Sequence, residues 1–119
     1  MAKIIMVIDD EVEILNSIEA LLTQEGYKVV KANGGEEALE KLKLSKPDLI
    51  LLDFFMPKMS VGDVLEKIRA DDNLKDLKVI FLTAAAGLWK YEKLNILDYI
   101  KKPFDNKDLV QRIKNVIDR

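Results

Sequence analysis

Four apolar runs in this 119-residue chain lead into residue types that can do chemistry. "KIIMVI" runs into Asp9 and Asp10, "DLILL" into Asp53, "KVIFL" into Thr83, and "ILDYIK" into Lys102 followed by Pro103. A fifth run, "YKVVKA", leads only into the uncharged "NGG". An unpaired carboxylate is costly in apolar surroundings, so Asp53, set between Leu52 and Phe54, must reach water or a partner. Gathered in one crevice, three carboxylates need cations, because two unit charges ~4 Å apart interact by about 4 kcal/mol at an effective dielectric near 20. Lys102 supplies one cation. An acidic, all-oxygen site that keeps waters suits Mg2+. A metal there would also shield an incoming phosphoryl group from the carboxylates. Asp53 could then act as a nucleophile and form an aspartyl phosphate, with Thr83 and Lys102 holding the phosphoryl oxygens.

Each residue also has an ordinary reading. Asp9 or Asp10 could cap a helix, Thr83 could merely end a strand, and Lys101 and Lys102 could be solvated surface lysines. Their joint placement favours the chemical reading, and that placement depends on the elements between them. Val12, Ile14, Leu15, Ile18, Leu21 and Leu22 recur at helical spacing until Gly26. Ala38, Leu39 and Leu42 mark a short helix that stops before Pro47. Val61, Val64, Leu65 and Ile68 mark another, with Ser60 as its N-cap. Residues 86–95 are expected to be helical. Asp105 caps a last helix carrying Leu109, Ile113, Val116 and Ile117 on one face. The apolar runs 3–8, 27–32, 48–53, 78–83 and 96–101 are strands.

Strict alternation of this kind is an α/β, (βα)5 pattern and implies a doubly wound parallel sheet with helices on both faces. The first, third and fourth strands are apolar throughout, as strands covered on both faces should be. The second and fifth carry Lys or Asp between apolar residues and belong at the edges. The strand order 2-1-3-4-5 satisfies both conditions. Its topological switch lies between strands one and three, and ligands bind there beyond the carboxyl ends of the strands. That order would collect Asp9, Asp10, Asp53, Thr83 and Lys102 in one place.

Composition narrows the function further. The chain has no cysteine and no histidine. Disulfides, thiolate chemistry, His-ligated metals, His acid–base catalysis and phosphohistidine formation on this chain are therefore excluded. A formal charge of −2 with both signs interspersed argues against a nucleic-acid-binding surface. No run approaches the roughly 18 apolar residues of a membrane span, and the first residues lack a signal-peptide pattern. The expectation is one cytoplasmic domain over residues 1–119.

"VIDDE" (7–11), "LLDFFMP" (51–57), "FLTA" (81–84) and "YIKKPF" (99–104) occur in an order that resembles the receiver domain of bacterial two-component response regulators. The resemblance covers essentially the whole chain and is closest in kind to a stand-alone, chemotaxis-type regulator. It implies a flavodoxin-like fold and a phosphorelay role. Asp53 would accept a phosphoryl group from a phosphohistidine on a sensor histidine kinase or histidine phosphotransfer protein. Mg2+ would be ligated by the side chains of Asp10 and Asp53 and the backbone carbonyl of Phe55, with Asp9 acting through water. Lys102, joined to Pro103 by a cis bond, would pair with the phosphoryl group. Thr83 would move toward it, and Tyr99 would follow inward as the switch aromatic. The chain would catalyse only its own phosphorylation and slow self-dephosphorylation, so it is not expected to be an enzyme. With no effector segment in this chain, output is expected through contact with a downstream protein target.

Three departures from the family pattern stand out. "KMSV" lies between Pro57 and Gly62, one residue more than in "MPxMDG", with Ser60 where an acidic residue is common. The stretch from Thr83 to Lys102 is a few residues short, with "LNIL" (94–97), which runs into the fifth strand, in place of the usual Gly-Ala. Phe55 and Ala85 cannot position water through a side chain, which points to slow self-dephosphorylation. Two alternatives compete. A phosphorylation-independent docking module would keep the fold, but the complete set of five polar residues weighs against it. A Mg2+-dependent phosphohydrolase of the haloacid-dehalogenase type would want an Asp two residues after the nucleophile, where Phe55 stands. Trp89 and Tyr91, in "GLWKYEK", lie between Thr83 and Tyr99, and Trp89 is expected to be partly exposed there.

Overall fold

Nine regular elements are present in the computed structural model, which describes residues 2–54, 59–83 and 96–118. In chain order they are β1 (Ile4–Ile8), α1 (Val12–Gln24), β2 (Lys28–Ala32), α2 (Gly35–Leu44), β3 (Leu49–Asp53), α3 (Val61–Ala70), β4 (Lys78–Thr83), β5 (Ile96–Lys101) and α4 (Asn106–Ile117). The strands form one sheet, parallel throughout, in the order β2-β1-β3-β4-β5. This is the flavodoxin-like order expected from the apolar patterns. Every residue of β3 is buried, whereas β2 and β5 are half-covered edges. The helix expected at 86–95, with Trp89 and Tyr91, lies outside the described residues, as do Phe55 and Ala85.

Local chemistry sets the helix ends. α1 stops because Gly26, at φ +94°, turns the chain into the left-handed region. The Gly26 N–H then donates to Thr23 O at 3.0 Å and the Tyr27 N–H to Leu22 O at 3.1 Å, which satisfies two of the last carbonyls. α3 starts at Ser60, whose Oγ accepts the Asp63 N–H at 3.1 Å, as a Ser N-cap should. Asp105 behaves differently from its expected role. It occupies the N-cap position of α4, but only its carbonyl is used, accepting the Leu109 N–H at 2.9 Å, and its side chain makes no capping bond.

The sheet divides the core. On one face Met6, Ile8, Leu52, Val79 and Phe81 pack with α2 and α3. On the other Ile5, Val7, Leu51, Ile80 and Leu82 pack with α1 and α4. A register shift between β4 and β5 sets Val79 opposite Ile96 and Ile80 opposite Asp98, leaving Leu97 as the extra residue of a bulge. Beyond the bulge Tyr99 faces the α2/α3 side and Ile100 the α1/α4 side.

Candidate functional site

β1, β3, β4 and β5 all deliver their polar residues to the carboxyl edge of the sheet. Asp9 follows β1 and is fully buried; its N–H donates to Ala32 O of β2 at 3.1 Å. Asp10 follows it and is exposed. Asp53 closes β3 at 4% exposure and Thr83 closes β4 at 4%. Carboxylate oxygens of Asp9, Asp10 and Asp53 lie within 4.8 Å of one another. At that separation and an effective dielectric near 20, the buried pair Asp9–Asp53 repels by about 3 kcal/mol or more, while water screens the charge of the exposed Asp10.

Lys102 answers part of that repulsion. Its Nζ donates to Asp9 Oδ2 at 2.7 Å and to Asp53 Oδ1 at 3.1 Å. The Lys102 N–H donates to Thr83 O at 2.8 Å, which ties the end of β5 to the end of β4, and the Lys102–Pro103 peptide is cis. Burial alone would lower the Lys102 pKa, but the hydrogen bonds and negative charges of Asp9 and Asp53 outweigh it and raise it. Asp9 also takes up part of the capping role considered for it. Its Oδ1 accepts the Glu11 N–H at 2.9 Å, while Glu11 itself occupies the N-cap of α1. Both Asp9 oxygens are thus engaged by protein donors, whereas Asp10 projects from the exposed lip.

Tyr99 is half-buried beside Phe81, with ring centroids 5.8 Å apart and planes tilted by 60°. Phe81 in turn meets the ring of Phe54 edge-on, at 5.8 Å and 66°. Phe54 and Phe81 received no role from the sequence. The signal that could have found them is the strand period of two, which puts Leu52, Phe54 and Phe81 on one face, with Tyr99 across from Phe81 in the predicted sheet.

Residues 5–114 match the family model described as the response regulator receiver domain. The chain belongs to that family. As a receiver it resembles the "Probable transcriptional regulator ycf27" of Cyanophora paradoxa, at 38% identity over 98% of this chain and 49% of that protein. It also resembles the hybrid signal transduction histidine kinase D of Dictyostelium discoideum, at 36% identity over 96% of this chain and 8% of that protein. The receiver thus spans half or less of these curated relatives. Among solved structures it resembles the receiver domain of a sensor histidine kinase from Pseudomonas aeruginosa, which has a magnesium ion coordinated in the active-site cleft. The identity is 27%, the TM-score 0.89, and 100% of each chain is covered. Among the described residues no helix is long and apolar enough to cross a membrane.

Proposed function

We propose that this receiver is a phosphorylation-dependent signalling switch. Asp53 accepts a phosphoryl group from a phosphohistidine on a sensor histidine kinase or histidine phosphotransfer protein in the cytoplasm, and a downstream protein target reads the result. The carrying observation is the convergence of Asp9, Asp10 and Asp53 within 4.8 Å, with Lys102 bonded to two of them. A carboxylate oxygen of Asp53 attacks phosphorus, the P–N bond to the partner's imidazole breaks, and the imidazole leaves with a proton from solvent. Lys102 Nζ, already beside Asp53 Oδ1, pairs with a phosphoryl oxygen as it arrives. The Thr83 hydroxyl holds a second, and Tyr99 moves inward behind it.

The donor set suits a hard cation, since it offers carboxylate oxygens and one exposed lip open to water. Asp10 and Asp53 would hold Mg2+ through their side chains, joined by the backbone carbonyl of Phe55, with Asp9 acting through water. When bound, Mg2+ supplies positive charge against the incoming phosphoryl oxygens. The magnesium ion in the Pseudomonas structure and the histidine kinase among the relatives support this reading. In it the chain turns over no external substrate; it catalyses only its own phosphorylation and slow self-dephosphorylation.

The test is intact mass after incubation with Mg2+ and phosphoramidate, a small P–N donor. One gain of ~80 Da is expected in the wild type and none in Asp53→Asn, because the amide cannot serve as this nucleophile. A stoichiometric gain in Asp53→Asn would remove Asp53 from the role. Steady turnover of p-nitrophenyl phosphate would favour a phosphohydrolase instead.

A further inference from the structure

Phe54, Phe81 and Tyr99 form a row of three rings across β3, β4 and β5, on the face that packs against α2 and α3. We propose that Phe81 is a positioning residue for Tyr99. It links the Tyr99 ring to the backbone that follows Asp53, so that the state of Asp53 reaches β5 along the row as well as through Thr83. The part concerning phosphorylation rests on the phosphoacceptor reading of Asp53; the mechanical link does not.

Phe54 is the residue after Asp53, and its N–H is held by Leu82 O at 2.9 Å. With that backbone clamped to β4, a change at Asp53 is felt at the Phe54 side chain. The Phe54 ring bears edge-on upon Phe81, which has no solvent exposure. A buried ring in a close-packed interior shifts only by displacing its neighbours. Tyr99 is such a neighbour, paired with Phe81 in the parallel register.

The backbone at Tyr99 is held from the opposite side. Its N–H donates to Asp98 Oδ1 at 2.8 Å, and Asp98 is gripped by Arg112 Nη1 of α4 at 2.9 and 3.1 Å. With the strand pinned through the α4 face, the part of Tyr99 that meets Phe81 is its ring, half-buried on the α2/α3 face. Aromatic pairs in these offset and edge geometries favour one arrangement over another by roughly 2- to 13-fold in population. That is enough to bias an inward against an outward ring.

The test reads Tyr99 directly. Tyr27 and Tyr91 are replaced by Phe, the protein is labelled with 3-fluorotyrosine, and the remaining 19F signal reports Tyr99. In the unphosphorylated chain, Phe54→Leu should shift the Tyr99 population by roughly 2- to 13-fold when Phe81 is present. The same change should have no effect in a Phe81→Leu background. An unmoved signal with Phe81 present, or an equal shift in both backgrounds, overturns the proposal. With Mg2+ and phosphoramidate, Phe81→Leu should take up the ~80 Da label as the wild type does while its Tyr99 signal responds less. A full response in the labelled variant also overturns it. If the wild type takes up no label, the phosphoacceptor reading fails, and the unphosphorylated arm still decides the row. Phe81→Met replaces Phe81→Leu should the latter not fold.

Discussion

Replacing Lys102 by Met should destabilise the metal-free protein and make it more dependent on Mg2+. Lys102 Nζ lies 2.7 Å from Asp9 and 3.1 Å from Asp53. At an effective dielectric near 20 the gross attractions are about 6 and 5 kcal/mol, and the desolvation of three charged groups offsets much of that. What the substitution costs is set by what it leaves behind: Asp9 at 0% exposure and Asp53 at 4%, facing each other and Asp10 without the ammonium that bonds them both. Removing one partner of a buried pair costs about 3–5 kcal/mol. Lys102 keeps 17% of its side chain in contact with water, so the lower end applies. A loss of about 3 kcal/mol in a chain of 119 residues lowers Tm by roughly 12 °C. Thermal unfolding followed by circular dichroism, in EDTA and then in millimolar Mg2+, measures it. Mg2+ should recover more stability in Lys102→Met than in wild type, because the metal then replaces the positive charge that Lys102 supplied to Asp9 and Asp53. A fall in EDTA of under roughly 4 °C, or one that Mg2+ does not lessen, would refute the reasoning.

Three further outcomes follow from the same geometry. Asp10→Asn removes one of three mutually repelling charges at the exposed lip, so it should melt slightly higher than wild type in EDTA, by about 1 kcal/mol or less, and gain less from Mg2+. Equal Mg2+-induced shifts in the two proteins would mean that the metal is bound elsewhere or not at all. The pKa of Lys102 is raised above its ordinary value of 10.5, so its stabilisation is complete below that value and is lost as pH climbs through the higher folded one. In EDTA the stability gap between wild type and Lys102→Met should therefore hold up to about pH 10 and shrink above it, and a gap closing below roughly pH 9 would contradict the assignment. Gly35→Ala should cost ~1–3 kcal/mol by overpacking, because its Cβ would sit 2.6 Å from the buried Val64 Cγ2 and 3.0 Å from Met59 Sδ. Adding Val64→Ala should return part of that loss relative to Val64→Ala alone, and chemical denaturation of the two pairs would show whether it does.

Strand order and edges were legible in the sequence because burial on both faces leaves a continuous apolar run, and Lys28, Lys31 and Asp98 interrupted the interior of that run in two strands only. The gathering of Asp9, Asp10, Asp53 and Lys102 followed from that order, since each closes or follows a strand. Lateral detail was less accessible. The Leu97 bulge changes the pairing only at the start of β5, between Ile96 and Asp98, and it arises from pairing with β4, not from any local signal in "LNIL". The capping role of Asp105 failed for a similar reason. An Asp before a helix has the right chemistry, but its rotamer is settled by surroundings that the sequence does not display. The choice of Asp9 over Asp10 as the buried partner of Lys102 also needed three dimensions, because two adjacent carboxylates at a strand end are equivalent on paper.

The sheet acts as a partition between two separately packed layers. Phe54, Phe81 and Tyr99 belong to the layer under α2 and α3, while Leu15, Ile18, Leu22, Leu109, Ile113 and Ile117 fill the layer under α1 and α4. Substitutions with no shared neighbours contribute nearly independently. A lineage carrying this fold can therefore adjust heat tolerance by changing side chains in the α1/α4 layer while the ring row on the far side keeps its packing. Side chains that set the packing of one layer are then not those that touch Phe54, Phe81 and Tyr99 in the other.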